Sequence, residues 1–373
     1  MFRSTVFTAA CSVAAVCMLA ACGGAGSSSG VTPPGSSTPQ SSICDDFSRS
    51  GRVPAGSCQT PAPAPAFTTY STADGLHENA DLLGIIAGPN NTAWFADDRG
   101  AVGYASATST PHIHEAWFLE RTPLALVYDK PNGTIWFTQS DNKLGEIDPN
   151  SRSYSAYDTG ANISSELFAP SIVADAKGRL WVGIGTSWID DTLTNLVVRF
   201  DPVTHTSVTF KLAGFYPIGE AFDADGNLWI AENISAQVEV MQTAGASAGK
   251  IVRTITLPNS SPLAITLGPD GNMWVADGMG AIWRITSNGS TQRFAVPGCQ
   301  VNGIATDSLR RVLWFTTYNC KALNKITPAG VVTSWASPGS NAAGVTIAEN
   351  NDVWYTSEGN PPAIPSSIVR AVP

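Results

Sequence analysis

One short phrase recurs along this chain and constrains its fold more than any other feature. DADGNLWIAEN at 223–233 returns as GPDGNMWVADG at 268–278, and five looser versions surround a tryptophan in the same place. The anchors are Trp94, Trp136, Trp181, Trp229, Trp274, Trp314 and Trp354, spaced by 42, 45, 48, 45, 40 and 40 residues. That period is the length of one four-stranded propeller blade and exceeds a leucine-rich or ankyrin repeat.

The fifth copy reads as a complete blade. LAITL (263–267) is a short apolar run suited to an innermost strand, and Asp270-Gly271 makes a hairpin turn. NMWVAD (272–277), AIWRIT (281–286) and TQRFAV (291–296) follow as alternating strands. KLGEID, LVVRFD, QVEVMQ, LNKITP and SIVRAV are the third strands of other copies. Each anchoring tryptophan is expected on a second strand, wedged between blades, rather than in an aromatic binding track. The last copy has only three strands, and AFTTYST (66–72) resembles the fourth strand SYSAYDT (153–159). An N-terminal strand that completes the last blade leaves no open edge. The expected fold is therefore all-β: a seven-bladed β-propeller of four-stranded antiparallel blades over residues 66–373.

Only 14% of residues are charged, the net charge is −9, and no Lys/Arg cluster occurs, which excludes a nucleic-acid partner. Residues 1–21 carry one cation, Arg3, then an apolar run ending in small residues, the pattern of a secretory signal. Leu19, Ala20, Ala21 and Cys22 resemble the lipobox of bacterial lipoproteins. The resemblance implies cleavage before Cys22, a lipid on its thiol and a membrane-anchored place in the cell envelope. Gly23 after that cysteine is similar to an outer-membrane address. Residues 22–43 form a Gly/Ser/Pro tether, and 44–65 a disulfide loop and proline-rich lead-in. Once Cys11 and Cys17 leave with the signal and Cys22 is lipidated, four cysteines remain, an even number that suits two disulfides in an exported chain. Cys44 with Cys58 closes a short loop. VNGIAT (301–306) and VLWFTT (312–317) form a hairpin whose flanks carry Cys299 and Cys320, the second expected pair. There is no CxxC to suggest zinc.

GPDGNMWVAD, DGNLWIAE, DNKLGEIDPNS (141–151) and LNKITPAG (323–330) resemble phrases of the streptogramin B lyase family, the virginiamycin B lyase propellers, over about 300 residues from Phe67 to Pro373. The resemblance implies an elimination that opens a cyclic depsipeptide at its ester, using histidines near the channel mouth, a glutamate and Mg2+. Such chemistry needs a base for the proton next to the carbonyl and a donor or metal for the enolate. Where the family has a histidine before some innermost strands, this chain has Leu83, Leu124, Pro170, Ile218, Leu263, Asn302 and Ala343. His112, His114 and His205 fall far from the central axis in this reading, which leaves His77 as the one histidine able to overhang the mouth.

The carboxylates after the anchoring strands are Asp97, Glu232, Asp277 and Glu358, expected to ring the upper mouth with Asn302. Glu232 and Glu358 match by type the glutamate that serves the family's metal, and the alternative is that all four simply satisfy backbone donors. Glu220 stands where sister repeats have Ile265 and Ile304, so it must be paired or wet, as a residue lining the channel would be. DADGN is not an EF-hand, because Ile234 stands at the loop's twelfth position. Two upper loops exceed the blade norm, 185–195 with Trp188 and 357–367 with three prolines, and long loops on a rigid repeat are the usual seat of binding. Two functions follow. One is a monomeric, lipid-anchored propeller that binds a small ligand or an envelope protein at its upper face. The other is a streptogramin-type C–O lyase with a rearranged site and Mg2+. The missing histidine ring favours the first.

Overall fold

Short alternating strands cut by Gly and Asn turns can bury an apolar face only by stacking sheet on sheet. The computed structural model has seven such sheets, each a four-stranded antiparallel meander. It describes residues 63–118, 121–161, 167–186, 195–360 and 363–373, and Ala64–Pro373 form one unit. Blades one to six span 82–118, 123–158, 167–211, 217–256, 262–295 and 301–336. Blade seven takes Asn341–Ile347, Val353–Glu358 and Ser367–Val372 from the end of the chain and its fourth strand, Ala66–Tyr70, from the beginning. The pairing runs from Ala66 opposite Val372 to Tyr70 opposite Ile368, so the ring closes through the N-terminal strand as the repeat count requires.

Strand alternation decides what each blade offers its neighbours. In blade four the second strand is Leu228–Glu232, where Trp229 and Ala231 pack toward blade five on Ile265, Met273 and Val275. Leu228 and Ile230 point the other way, against Trp181 and Val197 of blade three. All seven anchoring tryptophans are at most 2% exposed. Their indole N–H groups are polar and buried, so they need acceptors. The turn before the strand supplies them: Trp229 donates to Asp223 (2.8 Å), Trp181 to Asp175 (3.1 Å), Trp274 to Asp270 (2.9 Å) and Trp314 to Asp307 (3.1 Å). Thr92 and Thr134 do the same for Trp94 and Trp136, whereas the buried Trp354 indole nitrogen has no acceptor among the described residues. In DADGN the first aspartate is thus the structural one. Asp223 also accepts the N–H groups of Asp225 (3.0 Å) and Asn227 (2.8 Å), while Gly226 adopts φ 80° at the tip.

Every innermost strand carries a bulge near its upper end, where it pairs with the second strand. A threonine two residues after the tryptophan fills this gap in blades two, six and seven. Thr316 accepts the Gly303 N–H and donates to the Ala343 carbonyl of the next blade; Thr356 likewise joins Gly344 to Leu83. These bonds tie blade six to seven and seven to one.

Cys299 and Cys320 form the expected disulfide, with Cα atoms 5.4 Å apart. Cys22, Cys44, Cys58 and the tether lie outside the described residues, among which no helix is long and apolar enough to cross a membrane.

Asp223→Ala removes the acceptor of one indole and two turn amides and should cost about 1–3 kcal/mol in urea unfolding. Trp229→Ala should cost about 3–5 kcal/mol. Equal stability of either variant and the parent would show that the wedge is not the unit of cohesion.

Candidate functional site

The upper face is where second strands end and innermost strands begin, and the side-chain period of two decides what stands there. Asp97, Glu232 and Asp277 are three residues after their tryptophans, whereas Glu358 is four after Trp354. One residue of offset sends a side chain to the opposite face of a blade. The expected ring of four therefore splits into two sets with different surroundings.

The first set turns back toward the preceding blade and caps the crossover arriving from it. Asp97 accepts the N–H of Asp81 (2.8 Å) and Arg99 (3.0 Å). Asp277 accepts the N–H of Ser261 (2.8 Å) and Met279 (2.9 Å) and the indole of Trp283 (2.9 Å). Glu232 is fully buried beneath the 212–216 crossover, beside Glu239, and takes a bond from Gln237 Nε2 (2.7 Å). Asp97 and Asp277 are thus backbone caps, and Glu232 is held by a side-chain amide. Burial, and secondarily the neighbouring Glu239, pushes Glu232 up to about 8; burial and the adjoining Glu115 push Asp97 up to about 7.

The second set, four residues after the tryptophan, faces the following blade at the rim. It includes Asp98, Asn233, Tyr318 and Glu358. The Tyr318 hydroxyl of blade six faces Glu358 of blade seven, which in turn faces Asp81 at the threshold of blade one, and Asp98 adjoins Asp81. An arc of three carboxyls and a phenol thus follows the rim across the ring closure. Burial raises both Glu358 and Asp98 to about 7, helped by the mutual repulsion of the three acids. Arg99 stands 3.7 Å from Asp98 as the partial counter-charge. Sequence reasoning missed Asp81, Asp98 and Tyr318. The doublet at 97–98 was the available signal, because counting from Trp94 puts its second member in register with Glu358.

Leu83, Leu124, Pro170, Ile218, Leu263, Asn302 and Ala343 stand at the bulges of the innermost strands. Leu83, Ile218, Leu263 and Asn302 are half-buried there, and Leu124 and Ala343 are buried. The arrangement gives a mostly aliphatic collar with one amide and no imidazole. One layer below, the residue opposite the one that follows each tryptophan is Ile85, Leu126, Ile172, Ile265, Ile304 or Val345 in six blades and Glu220 in the seventh. Glu220 is as buried as its aliphatic sisters, at 6% exposure, and points into the junction with blade three rather than into open solvent. Gly183 makes the room: a Cβ there would lie 3.1 Å from the Glu220 carboxyl and 2.5 Å from the Ser171 hydroxyl. Ser171 and the Gly183 N–H face the carboxyl, yet neither makes a bond of good geometry, and burial raises Glu220 to about 8.

His77 does not overhang the mouth. Its backbone N–H is held by Glu115 (2.7 Å), which belongs to the outermost strand of blade one, and its Nδ1 accepts from Asn79 N–H (3.3 Å) in its own loop. His112 packs on Tyr70, His114 on Tyr104, and His205 on Tyr157, away from the inner strands. Trp188 lies outside the described residues. Among those described, no three His, Cys, Asp or Glu side chains are grouped so as to hold a metal ion.

Residues 251–361 match the model of the Virginiamycin B lyase family. Over this stretch the chain is similar to those lyases. Its fold also matches a streptogramin B lyase structure at TM-score 0.69 and 18% identity, covering 83% of this chain and 98% of that one. A catalytically inactive histidine-to-alanine variant of virginiamycin B lyase from Staphylococcus aureus, with quinupristin, gives 0.68 at 18% identity, covering 83% and 99%. Hydrazine synthase of Kuenenia stuttgartiensis gives 0.62 at 13% identity, covering 76% and 95%. At such identities the likeness speaks to the fold alone, and the last match shows how differently one propeller plan is used. No curated protein sequence matches the chain.

Raised carboxyl pKa values make stability depend on pH in a defined direction. Glu220, Glu232, Asp97, Asp98 and Glu358 all hold protons more tightly folded than unfolded. Their contribution is complete below the unfolded values and is lost as pH rises through about 7 to 8. The melting temperature should therefore rise as pH falls from about 9 to about 6, and Glu220→Gln should flatten that slope. A melting temperature that rises with pH over this interval would contradict the assignment.

Proposed function

We propose that this protein is a lipid-anchored propeller of the bacterial envelope that binds a small ligand or protein partner at its upper face. The observation that carries the reading is the rim arc of Tyr318, Glu358, Asp81 and Asp98, which joins three blades at the ring closure. Polar groups on a rigid rim with perturbed ionisation are the usual mark of a binding site. Phe215, Ile234 and Met279 add exposed apolar side chains on the upper loops of blades four and five. The lipobox-like Cys22 supports the anchor, and the Cys299–Cys320 disulfide suits an oxidising compartment.

A streptogramin-type lyase is the second reading, favoured by the family match over 251–361. Glu358 would then be the candidate base, since a carboxyl titrating near about 7 is poised for proton transfer at neutral pH. Magnesium would be needed beside it, and the aliphatic collar supplies no histidine to assist.

Cys22→Ser should abolish palmitate incorporation and move the protein from the membrane to the soluble fraction; unchanged labelling would remove the anchor. Incubation of the purified protein with a type B streptogramin and magnesium should yield no linearised product by mass spectrometry. Calorimetric titration of the same compound tests the rim: binding that weakens about tenfold or more in Glu358→Gln supports it, a loss equivalent to about 1.4 kcal/mol. Ring opening that disappears in Glu358→Gln would establish the lyase instead.

A further inference from the structure

The junction between blades three and four holds a pair of glutamates that no function above uses. Glu232 and Glu239 sit on adjacent strands, Leu228–Glu232 and Gln237–Met241, and both are fully buried. Gln237 lies opposite Glu232 and shares its amide between them, 2.7 Å from Glu232 Oε2 and 3.4 Å from Glu239 Oε1. The crossover from blade three descends onto this pair. Ala213 N–H reaches Glu239 Oε2 at 3.3 Å, and the Gly214 N–H faces both carboxyls. The fit at Gly214 is so close that an added Cβ would overlap the Glu232 carboxyl. Beyond the pair, Phe215 N–H is held by Ser235 Oγ (2.7 Å) and Tyr216 N–H by Asn195 Oδ1 (3.1 Å), with Tyr216 at φ 65°.

Two buried carboxylates facing one loop need either a cation or a proton. Among the described residues no Lys or Arg pairs with either glutamate: Arg199, on the blade-three face that looks toward blade four, stacks instead over the rings of Trp181 and Phe210 (5.7 and 5.9 Å). Lys211 precedes the crossover but is exposed and pairs with neither glutamate. On the same face of blade four the other titratable side chain is Glu220, also an acid, and blade three opposes it with Ser171, Gly183 and Asn195. The loop contributes the phenol of Tyr216 and no charge. Glu232 Oε1 has no hydrogen-bond partner, which leaves a buried lone pair where a carboxylic proton would sit.

We propose that a proton held on the Glu232–Glu239 pair latches the 212–216 crossover to the top of blade four, and that its loss at rising pH releases this loop. The exposed Phe215 rides on the loop, and Ile234 stands on the adjoining turn beside Ser235, so the latch governs an apolar corner of the upper face. Burial raises both glutamates, in the sense this needs. Blade five provides the contrast. Its Asp277 caps the equivalent crossover at Ser261 with three donors and no second carboxyl among them.

Hydrogen-exchange mass spectrometry on the full chain between about pH 6 and pH 9, corrected for intrinsic rates, reads the latch directly. Peptides over 212–216 should lose protection by about tenfold or more as the pair ionises, while 257–261 stays protected. Glu239→Gln removes one of the two charges and should keep 212–216 protected to higher pH; Glu232→Gln is the second variant should the first misfold. Protection of 212–216 that is flat with pH, that falls equally in 257–261, or that is unaltered in the folded variant would overturn the latch.

Discussion

The ring depends on one contact made seven times, the indole of a second-strand tryptophan packed on the next blade; in six of the seven the N–H returns to a side chain at the start of its own hairpin or strand. A blade cannot bury both faces by itself, so cohesion lies in the junctions. The indole supplies the apolar area, and the turn aspartate or threonine removes the cost of burying its polar atom. In the final junction the N-terminal strand completes the sheet that receives blade six and leans on blade one, which makes the last blade equivalent to the others.

Once the tryptophan face is fixed, the strand period fixes everything above it. A side chain three positions on must look backward and meet the incoming crossover; one four positions on must look forward at the rim. The acidic residues are therefore not one population. Asp97 and Asp277 hold crossovers, Glu232 lies buried against Gln237, and Asp98 and Glu358 stand at the rim. Burial leads in raising Asp97, Asp98, Glu232 and Glu358, and neighbouring acids add to it.

Much of the fold was legible in the sequence because it is local and repeated. The reading of 263–267 as an innermost strand falls one residue short of the observed Pro262–Leu267, and the disulfide followed from hairpin geometry alone. The site was less legible for two physical reasons. VWYTSE holds one residue more than LWIAE between tryptophan and acid, so grouping Glu358 with Glu232 by type overlooked a reversal of face. And Asp81, Asp98, Tyr318 and Glu358 are far apart in the chain, brought together only when blades six, seven and one close. Glu220 was visible as an intruder in an aliphatic position, but Gly183, which makes its room, reads in sequence as an ordinary strand residue.

Burial at the blade tops makes Glu220, Glu232, Asp97, Asp98 and Glu358 hold their protons more tightly than free carboxyls do. Carbon-detected NMR titration of the side-chain carboxyls tests it most directly. Glu220 and Glu232 should titrate near about 8, and Asp97, Asp98 and Glu358 near about 7. Titration of all five in the ordinary range of about 4 would contradict the claim.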